Sequence, residues 1–110
     1  MRILLVGFDG AQGLDIFGPA EVFAAANRSA GRAEYQVRLC TLLGGRAKTS
    51  SGIALHTERL ASITPRRSDT VLVVGGAERP LRAALGSAKL TRWLQAAAPV
   101  VRRMGSVCSG

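Results

Sequence analysis

The sequence is poor in aromatic residues, histidine, cysteine and lysine, and each shortage excludes something. No stretch of about 18 consecutive apolar residues occurs, so no membrane-spanning helix is expected. Behind Met1-Arg2 the apolar run Ile3 to Val6 is too short for the centre of a signal peptide. The reading is a soluble, cytoplasmic chain with no membrane partner. Its two cysteines, Cys40 and Cys108, are too few for a disulfide framework and are expected as free thiols. Histidine occurs once, as His56, and no set of metal ligands accompanies it, so neither a metal centre nor another cofactor is expected. Acids are also scarce: 13 arginines and 2 lysines face 7 acids, for a net charge of +8. Such a balance invites a polyanion partner. The arginines are scattered singly or in pairs, as Arg66-Arg67 and Arg102-Arg103, and only five aromatic residues exist to interleave with them. A solvated basic surface fits that scatter better than a nucleic-acid groove.

What is present is a core. With 47% apolar residues in 110, the chain has the makings of one folded unit and no room for a second. Residues 2–7, Arg-Ile-Leu-Leu-Val-Gly, form an unbroken apolar run closed by glycine, which predicts a strand covered on both faces. Pro19 to Arg28 carries Val22, Phe23 and Ala26 at helical spacing behind a proline and predicts the first helix. Tyr35 to Leu43 reads as a second strand, Gly44 to Gly52 as turn chemistry, and Ile53 to His56 as a short edge strand. Val71 to Val74, introduced by Asp69-Thr70 and halted by Gly75-Gly76, is the second strong central-strand signal. Residues 80–98 predict a long helix interrupted at Gly86 and stopped by Pro99, and a last strand begins at Val100-Val101 and runs through Met104 to Val107. No internal repeat or low-complexity segment appears. Strands of buried composition alternating with helices predict an α/β fold built on an open, doubly wound, mostly parallel sheet. In such a sheet Phe8 to Leu14, Gly75 to Glu78 and Gly105 to Gly110 converge at the carboxyl ends of the strands.

Within that crevice the most informative segment is Gly105-Ser106-Val107-Cys108-Ser109-Gly110, small residues framing a cysteine directly after a strand. It has the form of a nucleophile elbow, whose sharp turn holds the central residue in a strained conformation and exposes its side chain. A buried structural cysteine is the competing reading of the same peptide, and position after the last strand favours the elbow. Asp15, placed in the loop, and Glu21, placed in the first helical turn, are two acids beside the first strand, able to orient a substrate or accept a proton. By spacing alone the plainer uses are favoured, a capping or loop-bracing Asp15 and a dipole-favoured Glu21 at a helix start. Gly75 and Gly76 let backbone amides approach a developing oxyanion, although a plain turn is the commoner use of a diglycine. His56 lies away from the crevice on the expected edge strand, so a Cys-His pair within this chain is not expected.

These runs together resemble the ThiJ/PfpI family of the class I glutamine amidotransferase-like superfamily, over essentially the whole chain. The nearest likeness is to the N-terminal sensor domain of AraC-type transcriptional regulators, carried by Phe8-Asp9-Gly10-Ala11-Gln12, Leu14-Asp15, Gly18 to Phe23 and Ala24-Ala25-Ala26-Asn27. Val73-Val74-Gly75-Gly76 resembles the family's diglycine strand end, with Val74 where a proline is frequent. Trp93-Leu94, Ala98-Pro99 and Ser106 to Gly110 also match, with Ser109 where threonine is frequent.

The resemblance implies a flavodoxin-like sheet, with Cys108 as the elbow cysteine and Asp15 as the acid that faces it in isocyanide hydratase-like relatives. Glu21 falls in the helix after that loop, and Gly75, Gly76 and Ser109 fall where an oxyanion or ligand would be held. It further implies a small-molecule ligand or substrate and a homodimer. DNA binding would come only through a C-terminal region outside this chain. Residues 1–110 are then the N-terminal part of a ThiJ/PfpI-like domain, broken off after the elbow strand, and a fragment of a longer protein is the expectation. Two functions follow from the resemblance: a ligand-sensing or dimerisation domain of a regulator, or a cysteine-dependent hydratase or hydrolase.

Overall fold

A computed structural model describes residues 1–110. The elements are β1 (Arg2–Val6), α1 (Gly13–Ala30), β2 (Gln36–Thr41), β3 (Gly45–Lys48), β4 (Ala54–Arg59), β5 (Thr70–Val73), α2 (Glu78–Leu85), α3 (Ala88–Ala97) and β6 (Arg103–Ser106), with a 3₁₀ turn at Leu60–Ser62. One sheet runs in the order β3-β4-β2-β1-β5-β6. Every neighbouring pair is parallel except β3 with β4, which is antiparallel. This is the mostly parallel, doubly wound architecture that the apolar runs predict.

β1 occupies the interior, and all five of its residues are buried. Successive side chains of a strand point to opposite faces, so its apolar run serves two cores at once. Ile3 and Leu5 join Ala11, Ile16 and Val74 beneath α1, with Phe23 and Ala20 packed against them. Leu4 and Val6 join Cys40, Leu60, Val71 and Leu90 on the other face, beneath Ala84, Trp93 and Leu94 of α2 and α3. Truncating a core leucine such as Leu4 removes packing worth about 2–5 kcal/mol.

The boundaries depart from the sequence reading in instructive places. α1 starts at Gly13, six residues before the predicted start, and runs through Pro19. Proline lacks the N–H that would bond the Asp15 carbonyl four residues back, yet Ile16 before it and Ala20 and Phe23 after it lie on one core-facing stripe that keeps the helix continuous. Gly45–Lys48, within the stretch read as a turn, is a strand, and β4 extends to Arg59. β3 therefore forms the edge and β4 is interior, pairing with β2 on its other side. The predicted 80–98 helix is two helices, divided at Gly86-Ser87, where Ser87 Oγ accepts the Leu90 N–H at 3.3 Å and caps α3. The last strand starts at Arg103, three residues beyond its predicted start.

The amino ends of β1, β5 and β6 are tied together by charge. Arg2 Nε donates to Asp69 Oδ1 at 2.9 Å and Arg2 Nη2 to Oδ2 at 2.7 Å, a two-pronged pair with the Asp69 side chain fully buried. The Arg66 N–H adds a bond to Oδ2 at 2.8 Å, and the Asp69 carbonyl accepts from the Arg102 N–H at 2.9 Å. Burial works against the charged Asp69, but the bonds from Arg2 and the Arg66 amide, with the nearby guanidinium charges, hold its carboxyl below the ordinary value. The hydrogen bond to Asp69 likewise raises Arg2 against the cost of its own burial.

Candidate functional site

From β1 the chain moves out to β2, goes on to β3 at the edge, turns back into β4 between them, and then crosses to place β5 on the opposite side of β1. In such sheets this reversal marks the usual place for a ligand crevice, beyond the carboxyl ends of β1 and β5. Parallel register sets the levels of its walls: Val6 pairs with Val73, and Val73 with Ser106. Gly75 and Cys108 therefore each stand two residues beyond one common row.

The loop after β1 reaches the same place. Phe8 to Gln12 is fixed by an isolated antiparallel bridge between Ala11 and Gly76, and the Gln12 N–H donates to the Gly75 carbonyl at 3.0 Å. Gly10, at φ 88°, is a genuine glycine position, because a side-chain carbon there would stand 2.7 Å from Pro80. Asp15 follows three residues after the N-cap Gln12, in the first turn of α1 rather than in a loop, where the helix dipole favours an acid. Its Oδ2 accepts the Gly75 N–H at 3.1 Å, leaving the other carboxylate oxygen without a hydrogen bond within the chain.

On the far wall, Cys108 is the only non-glycine residue with a positive φ, 55°, and its side chain is exposed. A turn closed by the Gly110 N–H donating to the Val107 carbonyl at 3.2 Å holds it, and the Val107 N–H donates to the Val73 carbonyl at 2.8 Å. Ser109 turns inward. Its Oγ lies 3.4 Å from the Gly76 N and 3.3 Å from the Gly76 O. A carbon added to Gly75 would meet Asp15 Oδ2 at 2.7 Å, Ser109 Oγ at 2.8 Å and Ser109 N at 2.9 Å. Asp15, Gly75 and Ser109 thus converge on one point, with Cys108 beside it.

Glu21 is not part of that cluster. It lies in the middle of α1, exposed and without a salt bridge or hydrogen bond, because the helix starts six residues earlier than its sequence signals suggest. Six residues along a helix place it roughly 120° around the axis from Asp15. His56, on β4, is exposed and pairs across the sheet with Arg46, at the side away from β6. Cys40 contrasts with Cys108: burial first, and the charge of Glu58 second, push its thiol up to about 12. Sequence reasoning missed the bond that joins Asp15 to the Gly75 amide. The one available signal is an acid three residues after a helix start, which depends on locating that start.

No helix is long and apolar enough to cross a membrane. Residues 1–110 match the profile of the DJ-1/PfpI family. A Streptomyces lividans protein described as an uncharacterized protein in the cpoL 5' region is 33% identical over 112 residues, spanning 99% of this chain and 74% of that protein. Among solved structures, a ThiJ/PfpI family protein from Pseudomonas syringae superposes with a TM-score of 0.83 at 17% identity, over 99% of this chain and 42% of its own. An AraC family transcriptional regulator from Pseudomonas putida superposes at 0.72 and 20% identity, over 96% of this chain and 62% of its own. Oxidized DJ-1 from Toxoplasma gondii superposes at 0.64 and 15% identity, over 98% of this chain and 55% of its own. The chain therefore spans about two fifths to three fifths of those structures. A profile match from the first residue to the last, on a sheet of the same architecture, makes this chain a member of the DJ-1/PfpI family.

Proposed function

We propose that these residues form the N-terminal part of a ligand-sensing domain of an AraC-type transcriptional regulator. A small molecule would bind in the crevice between Asp15, Gly75, Gly76, Cys108 and Ser109. The observation that carries this reading is that the backbone donors of the crevice already have partners: the Gly75 N–H is engaged by Asp15, and the Gly76 N–H faces Ser109 Oγ. Amides committed in this way are poor donors for a developing oxyanion, whose stabilisation requires free, preorganised N–H groups. They suit exchange of one partner for another when a ligand arrives, which is what a sensor needs. The likeness to the Pseudomonas putida regulator over 96% of the chain supports the same reading. DNA contact would then belong to a C-terminal region of the whole protein, the working unit would be a homodimer, and the setting would be the cytoplasm.

In the intact protein, Asp15→Asn and Cys108→Ala should each weaken effector-dependent induction of a promoter reporter by about tenfold, the equivalent of 1.4 kcal/mol of lost ligand contact. Unchanged induction in both variants, or a parent reading frame without a helix-turn-helix region, would end this proposal.

One observation favours a second reading. A non-glycine residue held at φ 55° costs conformational energy and is characteristic of nucleophile elbows. On that reading Cys108 attacks a small electrophilic substrate, as in a hydratase or hydrolase, with Asp15 moving the proton and Glu21 at most a remote influence through α1. Turnover by the intact protein that vanishes in Cys108→Ala would select it.

A further inference from the structure

A second concave site lies on the α3 side of the sheet, beyond the carboxyl ends of β2 and β4. It is a cleft of about 420 Å³ lined by Leu42, Leu43, Arg59, Ala61, Lys89, Arg92 and Trp93, and none of these residues belongs to the Cys108 crevice. That volume falls within the range of about 300–1,000 Å³ typical of small-molecule sites. Three of its walls carry cations, and no acid lines it. Arg59, Lys89 and Arg92 take part in none of the four salt bridges, which join Arg2 to Asp69, Arg32 to Glu34, Arg38 to Glu58 and Arg82 to Glu78.

The cleft is preformed. The Trp93 Nε1–H donates to the Ile63 carbonyl at 3.1 Å and fixes the indole. The Ala61 N–H donates to the Leu42 carbonyl at 3.1 Å and ties two further lining residues together. Arg92 Nε donates to the Ala88 carbonyl at 3.3 Å, which steadies the guanidinium while its terminal nitrogens stay free. Lys89 and Arg92, three residues apart on α3, share one helix face. Unpaired like charges repel one another, and three of them around one concavity are relieved when an anion enters.

We propose that this cleft binds a small anion, a phosphate or carboxylate group carried on a compact aromatic or apolar body. The body would rest on Leu42, Leu43 and Trp93 while Arg59, Lys89 and Arg92 meet the charge. A polymer of phosphates fits less well, because a nucleic acid follows a continuous basic track. The next arginine pairs, Arg66-Arg67 and Arg102-Arg103, flank the amino ends of β5 and β6 instead.

Trp93 is the only tryptophan, so its fluorescence reports on this cleft alone. Phenyl phosphate and benzoate, titrated separately at millimolar concentrations and low salt, distinguish the two anionic groups, with benzyl alcohol as the neutral control. At least one of the two anions should shift Trp93 emission saturably, and salt should weaken that binding. Replacing Arg59, Lys89 and Arg92 together by Gln should raise the dissociation constant at least about tenfold, the equivalent of 1.4 kcal/mol. A triple Arg28, Arg67 and Arg79 to Gln variant, with the same change in net charge, should leave the constant within about twofold of the parent, since those side chains are exposed and none of them lines the cleft. Circular dichroism checks that both variants fold, and single substitutions at Arg59 and Arg92 serve if the triple does not. The proposal is overturned if neither anion gives a saturable change, if benzyl alcohol binds as well, if both triple variants weaken binding alike, or if only duplex DNA perturbs Trp93.

Discussion

The two ends of the sheet solve opposite problems with the same kinds of group. At the amino end a carboxylate and a guanidinium, Asp69 and Arg2, are taken out of water and locked by two direct bonds. At the carboxyl end a carboxylate of similar chemistry, Asp15, is only half buried, takes one bond from a backbone amide and keeps an oxygen free. The first arrangement joins three strands and leaves nothing for a ligand. The second holds a loop, a helix start and the turn around Cys108 close together without exhausting them. In this fold a closed, fully paired cluster and an open, partly paired one thus stand at opposite ends of the same strands.

The largest effect expected from breaking this contrast is at the closed end. Asp69→Ala strands Arg2 without its partner in a buried site and should cost about 3–5 kcal/mol, read as a shift of the urea midpoint. A loss within the range of an exposed pair, below about 1 kcal/mol, would show that the end is not closed in solution.

At the open end, Gly75→Ala should cost about 1–3 kcal/mol, because the new carbon collides with Asp15 Oδ2 and with the backbone nitrogen of Ser109. Its more telling consequence would be loss of effector response in the intact protein while Asp69→Ala, corrected for the unfolded fraction, retains it. Equal loss in the two variants would erase the division of labour between the ends.

Acid sharpens the comparison with the smallest change in the molecule, one proton. The folded Asp69 carboxyl lies below its ordinary value of 3.8, so the unfolded chain binds more protons as the pH falls. The stability it contributes is complete above the unfolded value and is lost as the pH drops through the folded one. Urea midpoints measured from neutral to acid pH should therefore fall more steeply for the parent than for Asp69→Asn, and parallel curves would contradict the assignment.

How far the sequence alone reaches follows from the range of each signal. β1 and β5 are legible because a strand covered on both faces must be apolar at every position, as Ile3 to Val6 and Val71 to Val74 are. The crevice is legible for a related reason, since parallel strands fix what lies at their carboxyl ends. The start of α1 is hidden because Gly13, Gly18 and Pro19 are locally poor helix formers, and the packing of Ile16 and Phe23 overrides them. Misplacing that start displaced Asp15 into a loop and brought Glu21 forward into a first turn. β3 is hidden because Gly45-Arg46-Ala47-Lys48 has no β-branched residue and is a strand only through its pairing with β4. The Arg2–Asp69 pair spans 67 residues, a separation over which no local pattern carries information.

The burial of Cys40 carries its own lesson. A thiol whose ionisation lies near 12 does not form the thiolate that oxidants and electrophiles attack at neutral pH. Thiol chemistry in the folded state is thereby left to Cys108, and a thiol-directed label on the native molecule reports that residue rather than the interior.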